Sequence, residues 1–206
     1  MPRESILFGV AGIFFGILIG WIIGSQQAAA PALQPAAAAG AAPAPAQTAA
    51  PLDEAKVSEL RSTAESNPRD ATTRVQLGNM YFDAERFEEA ATWYEAALAI
   101  NPRDVNASTD LGITYYYRNQ PDRALAQFER SLAVDPKHSK TLLNIGIVRA
   151  FGKQDLEGAA KAWQRVLDVA PDSPEGRAAR QALEGLRNAH PDLTGGAPAD
   201  KPGSPD

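Results

Sequence analysis

The sequence predicts an all-α chain: a stack of helix-turn-helix pairs covered by a helix at each end, with one further apolar helix at the N-terminus. Three observations predict it. Pro68, Pro102, Pro136 and Pro171 recur at intervals of 34, 34 and 35 residues, a period that marks an array of repeated helix pairs. Between the prolines, apolar residues recur at three and four positions, the spacing of one helix face. Ile6 to Ile23 runs 18 residues without a charge, enough helix to cross a bilayer.

Those 18 residues span roughly 27 Å as a helix, against a hydrocarbon core of about 30 Å. The run is longer than the apolar core of a signal peptide, about 7 to 15 residues, and cleavage after Ala28-Ala29-Ala30 would leave Pro31 first. An uncleaved single-pass anchor over residues 1–24 is the expectation. Arg3 and the N-terminal amine precede the helix, and no Lys or Arg follows it before Lys56. The excess of positive charge belongs on the cytoplasmic side, which puts the N-terminus inside a bacterial inner (cytoplasmic) membrane and the rest of the chain in the periplasm. Gly12, Gly16, Gly20 and Gly24 fall on one face of this helix. Such a face admits a second helix at close range and so a homodimer, but glycine is frequent in membrane helices in any case; both readings stand. The lipid bilayer is thus one expected partner.

Residues 25–51 hold 14 Ala and 5 Pro and no charge. They have neither amphipathic period nor the apolar variety to pack a core, and read as a flexible spacer. At about 3.1 Å per residue it would reach roughly 80 Å from the membrane. At the other end, residues 191–206 are rich in Gly and Pro and read as a disordered tail. About 135 residues remain to form a core, which is one domain, expected over residues 52–190.

The repeats carry the detail. Asn67-Pro68-Arg69-Asp70 and Asn101-Pro102-Arg103-Asp104 are identical in residue type, and Asp135-Pro136-Lys137-His138 is their relative. Units starting at Ala71, Val105 and Ser139 align as Leu77-Gly78, Tyr81, Ala90, Tyr94, Ala97, Pro102; then Leu111-Gly112, Tyr115, Ala124, Phe128, Ser131, Pro136; then Ile145-Gly146, Ala159, Trp163, Val166, Pro171. This stretch resembles the tetratricopeptide-repeat (TPR) family, with repeats over residues 71–104, 105–138 and 139–173. The resemblance implies helix pairs in which Gly78, Gly112 and Gly146 meet Ala90, Ala124 and Ala159 at a close crossing. The third unit departs from it, with one extra residue between Gly152 and Gly158 and Arg149 where the others have tyrosine.

Before the first unit, Val57, Leu60 and Ala64 make one apolar face on a half-repeat helix over residues 53–66. After the third, Ser173 is an N-cap and Pro174 a first helical residue, opening a capping helix over residues 174–189. Its outer face is polar, with Arg177, Arg180, Glu184 and Arg187.

In the TPR family the first helix of each pair lines a concave groove, through repeat positions 2, 5, 9 and 12. The resemblance therefore nominates Thr72, Val75, Asn79 and Phe82; Asn106, Thr109, Ile113 and Tyr116; and Lys140, Leu143, Ile147 and Ala150, with Gln76, Asp110, Tyr117 and Asn144 beside them. Amides mixed with aliphatic and aromatic groups suit a peptide or helix of a client protein. The family's carboxylate-binding subset uses Lys and Asn at positions 5 and 9 of its first repeat, Asn at 6 of the second, and Lys and Arg at 2 and 6 of the third. Only Asn79 and Lys140 match that set; Val75, Asp110 and Asn144 do not. Asp110 would repel a terminal carboxylate unless a cation intervened.

Other chemistry is not encoded. There is no cysteine, so no disulfide, thiolate metal site or Cys nucleophile. The net charge is −5 with no basic stripe, which argues against nucleic acid. His138 and His190 stand 52 residues apart, each beside a turn proline, and read as surface turn residues. No phosphate loop or nucleophile elbow is present; the expectation is a binding protein with no cofactor, not an enzyme. The layout of anchor, linker and periplasmic repeats resembles subunits of bacterial cytochrome c maturation systems, which implies presentation of an unfolded client. A general scaffold and a subunit of an envelope secretion complex are the other expectations.

Overall fold

The computed structural model describes residues 50–191. The expected anchor with its glycine face, the linker up to Ala49 and the tail from Asp192 lie outside the described residues. Among the described residues no helix is long and apolar enough to cross a membrane.

Eight α-helices and no strand make up the described residues. In chain order they are α1 (Glu54–Ser66), α2 (Ala71–Asp83), α3 (Phe87–Ile100), α4 (Val105–Tyr117), α5 (Pro121–Val134), α6 (Ser139–Ile147), α7 (Leu156–Val169) and α8 (Pro174–Ala189). Five of them start where a short polar side chain satisfies an orphan N–H of the first turn. Asp53 accepts from the Lys56 N–H, Asp70 from Thr73, Asp104 from Ala107, Asp155 from Gly158 and Ser173 from Gly176, all at 2.8–3.1 Å.

Helices α3 and α5 lack a side-chain cap, and their geometry comes from the turn before them. Glu85 and Asn119 each take φ 57°, in the left-handed region. The Arg86 N–H then donates to the Tyr81 carbonyl and the Gln120 N–H to Tyr115, at 2.8 and 2.9 Å, the long bond of a Schellman closure. In the third pair the extra residue is absorbed as a π-helical turn over Val148–Gly152 that prolongs α6. Arg149, in the place of tyrosine, reaches the Asp155 carboxylate at 2.7 Å and ties that turn to the start of α7.

Each pair is pinned at its glycine. A Cβ at Gly78 would lie 2.6 Å from the Tyr94 ring, at Gly112 2.4 Å from Phe128 and at Gly146 2.1 Å from Trp163. The alanines named above are fully buried, but what lies against each glycine is the ring four residues beyond its alanine. Pairs α2/α3, α4/α5 and α6/α7 then stack: α1 covers α2, α3 packs on α4, α5 on α6, and α8 on both α7 and α6. Val57, Leu60 and Ala64 join Leu77, Tyr81 and Tyr94 in one continuous core. Polar groups between helices are paired. Gln127 Nε2 and Ser131 Oγ both donate to Ser108 Oγ at 2.7 Å, and among the described residues no buried side-chain N or O lacks a partner.

His138 corrects the sequence reading. It stands where Asp70 and Asp104 cap the first two pairs, and it is half-buried, not a solvated turn residue. Its Nδ1 lies 2.7 Å from Thr141 Oγ1, and Thr141 Oγ1 in turn lies 2.7 Å from Thr109 Oγ1. His190 is exposed, as expected.

Candidate functional site

The first helices α2, α4 and α6 lie side by side, each pair pinned at the same glycine crossing. Their outward residues sort by position. Thr72, Gln76, Asn79 and Asn106 are exposed; Val75, Phe82, Asp110, Ile113, Tyr116, Tyr117 and Lys140 are partly exposed. Thr109, Leu143, Asn144, Ile147 and Ala150 are buried.

The buried set has a physical cause. Position 5 forms the joint to the next first helix: Thr109 donates to the Val105 carbonyl at 2.7 Å and packs on Thr141. Leu143 holds the same position on α6 and is buried, and its carbonyl accepts from Trp163 Nε1 at 3.2 Å. Asn144 turns back on its own helix, its Nδ2 donating to the Lys140 carbonyl at 2.8 Å. Helix α8 packs on α6, and Ser139 Oγ donates to its Glu175 at 3.4 Å. The third repeat therefore offers a ligand mainly Lys140, and the open surface belongs to the first two repeats.

Two polar contacts organise that surface. Asn79 Oδ1 accepts from the Tyr94 hydroxyl at 2.7 Å, which fixes the amide's orientation with its NH2 outward. Burial, then the Asp110 and Asp83 carboxylates, push the Tyr94 hydroxyl far above its usual range, so it stays a donor. Lys140 Nζ donates to Asp110 Oδ1 at 2.7 Å, each side chain about one-fifth exposed (21%). The cation that a terminal carboxylate would need is thus already engaged.

At the C-terminal ends of α2 and α4 the rings gather. Phe87 and Tyr117 stack with centroids 4.9 Å apart, and Phe82 meets them edge-on at 5.4 and 5.5 Å. Tyr116 lies 6.1 Å from Tyr117. Burial pushes both tyrosine hydroxyls up to about 12. Asp83, the last residue of α2, follows Phe82 in the chain and lies one turn beyond Asn79, and burial followed by the Asp110 charge raises its carboxyl above the usual carboxylate range.

Phe87 and Asp83 were missed as site residues. Phe87 opens α3 where the other pairs have Pro121 and Leu156, and an aromatic there was the available signal. Nothing local marks Asp83, because its neighbour Asp110 is 27 residues away. Among the described residues no three His, Asp or Glu side chains converge to hold a metal ion.

Sequence models described as tetratricopeptide repeat match residues 69–137 and residues 109–174. Residues 69–174 are tetratricopeptide repeats. The solved structures that this TPR domain resembles include MamA, at 15% identity over 66% of this chain and 77% of that one, with a TM-score of 0.60. The first TPR of Spaghetti (RPAP3), bound to the HSP90 peptide SRMEEVD, is 25% identical over 58% of this chain and 91% of that one, with a TM-score of 0.52. The Arabidopsis OM64 TPR domain is 18% identical over 57% and 94%, with a TM-score of 0.52. MamA and OM64, at such identities, speak for the fold alone. No curated protein matches the chain.

Proposed function

We propose that this chain is a membrane-anchored scaffold whose TPR groove binds a peptide or helix of a client protein. The observation that carries the reading is the open surface of the first two repeats. There the oriented amide of Asn79, the exposed Thr72, Gln76 and Asn106, and the partly exposed Ile113 and Tyr116 share one face. Amides can hydrogen-bond an extended or helical backbone while the aliphatic and aromatic groups take its side chains. The peptide held by the first TPR of Spaghetti supports the class of ligand. It does not support that peptide's chemistry, because Lys140, which could have met a carboxylate, is engaged by Asp110.

The anchor is the uncharged run Ile6 to Ile23. With Arg3 before it and no cation after it until Lys56, it orients the TPR domain away from the cytoplasm. Residues 25–51 supply reach, and the glycine face offers the helix a second copy or another membrane subunit.

Crosslinking in membranes tests this, comparing the intact protein with Asn79→Ala/Tyr116→Ala and with Gly16→Leu/Gly20→Leu. Client capture is expected to fall with the groove pair while the domain stays folded by circular dichroism. Normal capture by the folded groove variant would remove the groove from the account. Loss confined to the anchor variant would make the protein a membrane-complex subunit instead.

A further inference from the structure

We propose that the groove selects client segments in which a lysine or arginine lies beside apolar residues, the cation meeting Asp83 and its apolar neighbours the Phe82, Phe87 and Tyr117 rings. The proposal rests on the peptide-binding reading above and names the chemistry of the peptide.

Charge complementarity leads to it. Ionisable groups along the groove include Asp83, Asp110 and Lys140, with Glu175 on α8, His138 behind Thr109 and Glu85 acting on Tyr117. Lys140 is bound to Asp110 at 2.7 Å, and Glu175 accepts from Ser139. The Asp83 carboxylate has no hydrogen bond or ion pair among the described residues. The nearby arginines are committed elsewhere: Arg86 to Glu89 and Glu54, Arg118 to Glu88. Asp83 is therefore an exposed carboxylate with no partner of its own, within the influence of Asp110, whose charge Lys140 already offsets.

Two further features have the same sign. Asp83 ends α2 and Tyr117 ends α4, so the negative ends of two helix dipoles meet here. Neither helix carries a basic residue in its last turn. The Phe82, Phe87 and Tyr117 rings at the same helix ends provide apolar contact and a π surface that attracts a cation. An acidic segment would meet each of these groups unfavourably.

Selection from a displayed library of random peptides on the full-length protein in detergent tests it, using wild type, Asp83→Asn, Asp83→Lys and Asn79→Ala/Tyr116→Ala. Wild type is expected to enrich peptides with Lys or Arg flanked by aliphatic or aromatic residues. The best of these should bind Asp83→Asn about twofold to fivefold more weakly, the loss of one exposed ion pair with the cation–π contact kept. Asp83→Lys should turn the preference acidic. Thermal melting should find Asp83→Asn at least as stable as wild type, because burial and Asp110 disfavour the charge it removes. Enrichment of neutral or acidic peptides that depends on Asn79 and Tyr116 would overturn this inference and leave the peptide-binding groove standing. A cationic preference unchanged in Asp83→Asn would also overturn it. No groove-dependent enrichment at all would overturn both.

Discussion

Replacing Gly146 by alanine should destabilise the domain, although the same change in an exposed helix stabilises it by about 1 kcal/mol. The new Cβ would sit 2.1 Å from Trp163 Nε1, 2.4 Å from Cδ1 and 2.6 Å from Cε2, so the indole must retreat by more than an ångström to reach ordinary contact. The ring is only 3% exposed, so its retreat presses on the packed core around it. Overpacking of this kind costs about 1–3 kcal/mol. Retreat also breaks the bond from Nε1 to the Leu143 carbonyl, leaving the buried indole N–H unpaired at about 1–3 kcal/mol. After the propensity gain the net cost is roughly 1–5 kcal/mol. Urea unfolding followed by circular dichroism measures it, and in a Trp163→Phe background, which has no indole N–H bond left to break, the same substitution should cost at least about 1 kcal/mol less. If Gly146→Ala unfolds at or above the wild-type midpoint, the ring-on-glycine crossing is not what pins the repeat.

Three other outcomes follow from local geometry. Glu85 holds φ 57° without being glycine, so Glu85→Gly should stabilise by about 1 kcal/mol in the same assay. Asp155→Ala removes the cap of α7 and the partner of Arg149 and should cost about 1 kcal/mol. Burial above all holds the His138 imidazole below its ordinary 6.5, with Asp135, Asp110 and Glu175 opposing and Lys140 adding to the effect. A ring whose folded value lies below the unfolded one contributes stability above pH 6.5, lost as pH falls through the folded value. The urea midpoint should therefore drop on acidification below 6.5, and His138→Asn should flatten that drop.

The fold could be read because its determinants are local. Caps such as Ser173 lie three residues from the N–H they satisfy, and α8 spans Pro174–Ala189, the range expected. The period of the prolines carried the rest. The site was only partly legible, because exposure in a stack depends on the next repeat. Leu143 and Ile147 occupy groove positions by count, yet α6 lies under α8 and they are buried. Asp110 and Lys140 are both visible in the sequence, but that they pair across 30 residues is a consequence of stacking. His138 stands in a capping position that sequence assigns to a turn, and its ring lies against Thr141 of its own helix and Thr109 of α4, 29 residues away.

The most direct test of a client in the groove is a photoreactive residue placed at single positions of the full-length protein in membranes. Asn106 on α4 faces the groove, and Glu129 on α5 is exposed on the second helix of the same repeat. The account predicts client adducts from Asn106 that fall with Asn79→Ala, and none from Glu129; adducts from Glu129 alone would contradict it.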